Sequence, residues 1–201
     1  MATQPVKVYL ASRSPRRREL LRQIGVSFEL LLFREAGSRG PDVDEAVRPG
    51  ELPEDYVRRV CLEKARSAWS RIEDRRLRRL PVLAADTTVC LGSVVLGKPA
   101  DVAEAARMLG ELSGREHRVL SAVTVQLDQR IETAVNESFV RFRALAKEEI
   151  ARYVESGEPM DKAGGYAIQG RAAAFIQELR GSYSGVMGLP LYETSQLLGK
   201  L

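Results

Sequence analysis

The 201-residue sequence contains one histidine and two cysteines, Cys61 and Cys90, which are not in CxxC spacing. This shortage excludes the usual His/Cys zinc site and argues against a disulfide framework, so a reducing cytoplasm is the expected compartment. No apolar run approaches the ~18 residues that a membrane span needs, so no membrane partner is expected. The opening MATQPVKVYLASRS has no basic segment leading into a long apolar stretch, which disfavours a signal peptide. The sequence also lacks a GxxxxGK[ST] phosphate loop, internal repeats and low-complexity tracts.

What is present is ordinary for a globular protein: 44% apolar and 29% charged residues, enough for one sizeable domain spanning residues 1–201. The net charge is +4, with 25 arginines against 6 lysines. Because the cations are scattered among almost as many acids, nucleic acid is not the expected partner. The basic knot Arg75-Arg76-Leu77-Arg78-Arg79 reads as a solvated helix end, where cations suit the negative end of the helix dipole.

Strand and helix signals alternate, which predicts an α/β protein. Lys7–Ala11 reads as a buried strand, and Ser14-Pro15 opens a helix from Arg16 to Ile24 that Gly25 closes. A strand follows over Phe28–Phe33, then a loop over 34–53 rich in glycine, proline and acids. From Glu54, the apolar residues Val57, Cys61, Ala65, Ala68, Trp69 and Ile72 recur at helical spacing. Val82–Ala85 reads as a central strand ahead of a hairpin, Thr88–Leu91 and Val94–Leu96, turning at Gly92-Ser93. Asp101 and Glu104 form a capping-box pattern for a helix ending near Leu112. Strands over 117–127 and 131–143, a helix over 147–155, a glycine-rich loop over 157–170, a strand near 174–179 and a helix from Pro190 complete the order.

Four segments could carry chemistry. In Ser12-Arg13-Ser14-Pro15-Arg16-Arg17, a helix N-terminus offers backbone N–H groups beside Ser12, Ser14, Arg16 and Arg17, a set suited to phosphate oxygens. A Ser-Pro cap with solvated arginines accounts for the same residues. Asp86, at the end of an apolar strand and followed by Thr87, is costly unless it is paired, metal-bound or catalytic. Lys98, in Gly97-Lys98-Pro99, could return to the same spot through the hairpin. The acids Asp42, Asp44 and Glu45 suit a hard cation such as Mg²⁺, or a solvated loop. In Asp161–Gly170, the glycines permit close approach of backbone to a ligand, and Gln169 supplies a donor and an acceptor. The single histidine, His117, is expected to order the turn entering its strand.

Taken in order, LASRSPRRREL, DVDE, EKA, AADTTV, GKP, LSGREHRV, SGEPMDKAGGYAIQG and VMGLPLYET resemble the Maf family of nucleoside triphosphate pyrophosphatases, over almost the whole chain. The stretch between Phe28 and Asp44 is longer than in compact relatives. The resemblance implies an α/β fold with an elongated, curved mixed sheet flanked by helices, two lobes around a deep cleft, and a homodimer. It implies a house-cleaning enzyme that hydrolyses dTTP and UTP, or modified pyrimidine nucleotides, to the monophosphate and pyrophosphate. It makes Asp86 the catalytic acid–base residue, Arg16, Thr87 and Gln169 the specificity positions, and Ser12, Ser14, Arg17, Lys64 and Lys98 the phosphate ligands. Glu45 and Asp86 would hold a divalent cation, Mg or Mn. Two rivals remain at this point: a non-catalytic regulatory or nucleic-acid-binding protein linked to cell division, and a purine (ITP/XTP-type) pyrophosphatase.

Overall fold

The computed structural model describes residues 7–32 and 43–201. Phe33 and residues 34–42 of the predicted loop, Asp42 among them, therefore lie outside the described residues. Strand β1 (Lys7–Leu10) runs into helix α1 (Pro15–Gln23), which has proline in its first turn and the Ser14 hydroxyl accepting from the Arg17 N–H at 3.4 Å. Gly25, at φ +71°, ends the helix in a conformation that costs a side-chain-bearing residue about 1 kcal/mol or more. Strand β2 (Ser27–Leu30) stops before the predicted Phe33.

Helix α2 (Pro53–Asp74) buries the predicted apolar stripe and carries Glu54 and Asp55 in its first turn, where acids complement the dipole. Arg75 caps its C-terminus and Arg76 turns away with positive φ, so the basic knot does begin at a helix end. Strand β3 (Val82–Leu91), β4 (Val94–Leu96), α3 (Val102–Leu112), β5 (Glu116–Leu127), β6 (Arg130–Phe142), α4 (Lys147–Glu155), β7 (Ile176–Arg180), α5 (Tyr183–Met187) and α6 (Leu191–Leu198) follow.

Three readings are corrected. Asp86 is not at a strand end: β3 runs unbroken through it, because Thr87-Thr88-Val89-Cys90 are β-formers that stay paired with β5 as far as Cys90. Residues 171–175 form a 3₁₀ turn, so the strand near 174 starts at Ile176, and the short helix α5 was not anticipated. His117 lies within β5, 2% exposed, in an aromatic cluster rather than at a turn.

The seven strands form one mixed sheet in the order β2-β1-β3-β5-β6-β7, with β4 also on β3. Strand β1 is parallel to β2 and β3, and the remaining pairs are antiparallel. Alternation along β3 assigns its neighbours. Val82, Ala84 and Cys90 pack under α2 with Val57, Cys61 and Ala65. Leu83 and Ala85 pack on the other face with Leu20 and Leu21 of α1 and Leu197 and Leu198 of α6. Farther along that second face, Val89 joins Met108 and Leu109 of α3 and Tyr153 and Val154 of α4. Each fully buried Leu or Val contributes about 1.5–3 kcal/mol.

One edge of β3 pairs with β1 only as far as Leu83 and with β4 only from Val89. The stretch between them has no strand beside it on that edge, and it contains Asp86 and Thr87. Among the described residues, no helix is long and apolar enough to cross a membrane.

Candidate functional site

A cavity of about 960 Å³ opens at this gap in the sheet. Ten of the residues singled out from the sequence line it: Ser12, Ser14, Arg16, Arg17, Glu45, Lys64, Asp86, Thr87, Lys98 and Gln169. Six cationic side chains face three carboxylates around its wall, once Arg13, Lys162 and Asp161 are added to that set.

Asp86 and Thr87 are consecutive on a strand, so they point to opposite faces of the sheet and reach the cavity from its two sides. On the α2 side, the Lys64 ammonium donates to Asp86 Oδ1 at 2.7 Å and pairs with Glu45 Oε1 at 2.9 Å. Asp86 is 7% exposed, and a charge so buried needs such a partner. Burial pulls the Lys64 pKa down, but Asp86 and Glu45 outweigh it and hold the ammonium above its ordinary value. For Glu45, burial raises the pKa, and Lys64, Lys98 and Arg17 outweigh it, leaving the carboxyl below the usual range.

Sequence reasoning did not find what fixes Glu45. Arg59 donates to the Asp44 and Ala46 carbonyls at 3.0 and 2.9 Å, and Tyr56 Oη donates to the Glu45 carbonyl at 3.1 Å. Glu51 clamps Arg59 in turn, through Nε at 2.6 Å and a second nitrogen at 2.9 Å. Asp44, one of the acids that suit either a hard cation or a solvated loop, accepts from the Ala46 N–H at 3.0 Å as a local turn.

On the opposite side, Arg17 is a hub. Its Nε donates to the Gly188 carbonyl at 2.7 Å, and its terminal nitrogens donate to Ser12 Oγ at 3.1 Å and Thr87 Oγ1 at 3.5 Å. Three of the five guanidinium N–H groups therefore have internal partners, and two remain for a ligand. Burial, offset by Asp86, lowers its pKa. Ser12 Oγ also accepts from the Ser14 N–H at 3.2 Å, so both of its lone pairs are engaged and its proton is available to an acceptor such as a phosphate oxygen.

The glycine-rich segment is tied down at two points. The Gly164 N–H donates to the Gly97 carbonyl at 2.9 Å, next to Lys98. Tyr166 Oη lies 2.8 Å from His117 Nε2. Gly164 has φ +67°, and a Cβ there would sit 2.9 Å from Val89, so glycine is required. Gln169 stands exposed at the rim, and Lys98 is exposed as well. Lys162, for which the sequence suggests no role, is half-buried among Arg16, Asp161 and Lys98, with its pKa lowered first by burial and then by Arg16. Cys61 and Cys90 are buried free thiols, and burial pushes Cys61 up to about 12.

A family model described as Maf-like protein matches residues 7–201. The dTTP/UTP pyrophosphatase of Aromatoleum aromaticum is 58% identical over 194 residues, covering 96% of this chain and 94% of that relative. The protein of the same name from Ralstonia nicotianae is 58% identical over 194 residues, covering 96% and 93%. Among solved structures, the Staphylococcus aureus Ham1 protein aligns with TM-score 0.43 and 15% identity over 70% of this chain and 72% of that one.

Proposed function

The chain belongs to the Maf family, and from that premise we propose that it hydrolyses dTTP and UTP to the nucleoside monophosphate and pyrophosphate, clearing unwanted pyrimidine nucleotides. The observation that carries the reading is the Glu45–Lys64–Asp86 cluster on one wall of a cation-lined cavity large enough for a nucleotide. Water attacks the α-phosphorus, and pyrophosphate leaves with about four negative charges to be neutralised across the substrate. Positioning and electrostatics carry most of such catalysis.

In this reading the Asp86 carboxylate takes the proton from the attacking water, and Lys64, expected from the sequence as a phosphate ligand, is engaged by Asp86 and Glu45 and holds that carboxylate in place. The N-terminus of α1, the Ser12 hydroxyl, Ser14, the free N–H groups of Arg17, and Lys98 take up the phosphate oxygens. Arg16, Thr87 and Gln169 face the nucleoside. The Gln169 amide donates to O4 and accepts from N3–H of uracil or thymine, whereas guanine offers two donors on that edge and suits a carboxylate better. This complementarity speaks against the purine reading. The presence of Asp86, Glu45 and Lys98 together speaks against a non-catalytic one.

The donor chemistry fits a divalent cation. Glu45 and Asp86 both bring an oxygen within 3 Å of one point, the Lys64 nitrogen, and carboxylate oxygens are the ligands that Mg²⁺ or Mn²⁺ prefers. Two carboxylates leave the other ligand positions of such an ion to substrate phosphates and water. When bound, such an ion supplies charge neutralisation and a more acidic water. The homodimer and the cytoplasm expected from the sequence belong to the same proposal.

Pyrophosphate release measured over a nucleotide panel, with and without Mg²⁺ or Mn²⁺, tests it. The expected result is a kcat/KM for dTTP and UTP about tenfold or more above that for GTP. GTP as the best substrate overturns the specificity, and release from no triphosphate overturns the activity.

A further inference from the structure

Three oxygens on the α1 side of the cavity fix the direction of one proton. Ser121, opposite Thr87 in the β3–β5 register and 1% exposed, has its Oγ 2.6 Å from the Gly185 carbonyl of α5. A carbonyl only accepts, so the single Ser121 proton points at Gly185. The 2.8 Å contact between Thr87 Oγ1 and Ser121 Oγ then has one possible donor, Thr87. Arg17 reaches the same Thr87 oxygen from its own side, again as a donor. The Thr87 hydroxyl has thus given away its only proton, and what remains for the cavity it lines is a lone pair.

We propose that Ser121 is a positioning residue that makes Thr87 an obligate hydrogen-bond acceptor, so that the substrate group recognised at Thr87 is an N–H or O–H donor of the nucleoside. Two groups on a pyrimidine deoxynucleotide have that chemistry, the N3–H of the base and the 3′-hydroxyl of the sugar; the N3–H is taken by Gln169 in the reading above, which leaves the 3′-hydroxyl for Thr87. The proposal rests on the pyrophosphatase reading above and adds a polarity to one of its contacts. Ser12 has the opposite polarity, because both of its lone pairs are engaged and its proton is free. Within one cavity, Arg17 therefore borders a hydroxyl that can only donate outward and a hydroxyl that can only accept. An acceptor beside a phosphate oxygen would repel it, so Thr87 belongs with the nucleoside.

The test compares dTTP with 3-methyl-dTTP, which lacks the N3 proton, and with 2′,3′-dideoxy-TTP, which lacks the 3′-hydroxyl. It uses the intact chain and its Ser121→Ala, Ser121→Thr and Thr87→Val variants. In the unmodified protein, 3-methyl-dTTP loses its bond to Gln169 and is the control that the Ser121 and Thr87 variants leave unchanged, whereas 2′,3′-dideoxy-TTP is expected to raise KM about tenfold with kcat within about threefold. In Ser121→Ala the Thr87 proton is released, and this penalty should shrink at least about threefold, while Ser121→Thr keeps it. Thr87→Val should abolish it outright, which reads the acceptor directly even if Ser121→Ala does not fold. An undiminished 2′,3′-dideoxy-TTP penalty in both Ser121→Ala and Thr87→Val, or no such penalty in the unmodified protein, overturns the proposal. If dTTP is not hydrolysed at all, the pyrophosphatase reading fails on its own. Calorimetric binding of the same three nucleotides then decides the polarity of Thr87 by the same ratios.

Discussion

The two faces of β3 reach one cavity and are built from different chemistry. Under α2 the contacts are ionic: a lysine between two carboxylates, with an arginine–glutamate clamp behind one of them. On the other face, beyond the Arg17 guanidinium that is assigned to the phosphates, they are hydroxyls, carbonyls and a neutral imidazole: Thr87–Ser121–Gly185, and His117–Tyr166 beneath the segment that carries Gln169. Formal charge suits bond-making at phosphorus, where charge develops and moves. Neutral hydrogen bonds suit discrimination between bases, because an unmatched buried polar group is penalised without the long reach of a charge. Alternation along a strand separates the two at residues 86 and 87. It follows that damage to one face should change turnover, and damage to the other should change selection or fold.

The sharpest test of that division is Asp86→Asn, which keeps the shape and removes the base. Turnover of dTTP should fall about 10²–10⁴-fold. The dissociation constant for the nucleotide should stay within about threefold, since the phosphate and nucleoside contacts lie elsewhere. Near-normal turnover would end the assignment, and a large loss of binding with unchanged chemistry would put Asp86 on the wrong side of the comparison.

The next effect separates the faces by pH. His117 is buried against Phe142 and Tyr166, with Nδ1 left without a partner. Burial depresses its pKa to about 4, against a smaller opposite pull from Glu116. Protonation would add a charge and a second N–H with no acceptor. The unfolded chain takes up that proton near pH 6.5 and the folded one near pH 4. Stability is therefore fully present above about 6.5 and is lost as pH falls toward 4, by about 3 kcal/mol. Urea denaturation at pH 7 and pH 4.5 should show this slope in the unmodified protein and a shallower one in His117→Gln. Equal slopes would remove His117 as the cause. The ionic face should resist the same acid, because Glu45 is held below the usual carboxyl range and Lys64 above its own.

These two faces were not equally legible in the sequence. The residues of the ionic face stand in short motifs whose chemistry is visible one at a time, and Glu45, Lys64 and Asp86 do border the cavity, whereas Asp44 does not. The alternation of strands and helices along the chain, the long helix and the Ser14 cap follow from period and capping signals that are local. Partners supplied by distant segments were invisible. Ser121 is one hydroxyl in an apolar strand, and nothing nearby in sequence announces Gly185, 64 positions on. His117 follows a Ser-Gly turn and looked like part of it, because its partners Phe142 and Tyr166 come from elsewhere in the chain. The break placed at Asp86 came from treating an acid as a strand terminator. Lys64, brought in from α2, is what lets the strand continue through it. The short helix α5 did carry a local signal, Ser182 accepting from the Gly185 N–H at 3.0 Å, in a stretch that glycine made look like loop.

The smallest expected effect concerns the ionic face one step back from its carboxylates. Arg59 holds the chain on both sides of Glu45, at the Asp44 and Ala46 carbonyls, while Glu51 holds Arg59. Arg59→Met keeps much of the side chain's apolar stem on α2 and removes all of these hydrogen bonds. Glu45 then keeps its charge and its attraction to Lys64 but loses the backbone frame that aims it, and it is the more exposed of the two carboxylates, at 52% against 10% for Asp86. A ligand aimed less well binds a cation more weakly, and loss of a supporting partner typically costs tenfold or more in metal affinity. The Mg²⁺ concentration for half-maximal pyrophosphate release should therefore rise about tenfold. The kcat at saturating Mg²⁺ and the ratio of dTTP to GTP should change by less than about threefold. If instead the nucleotide preference shifts while the Mg²⁺ requirement stays put, Glu45 reads the nucleoside and the division between the two faces of β3 fails at this position.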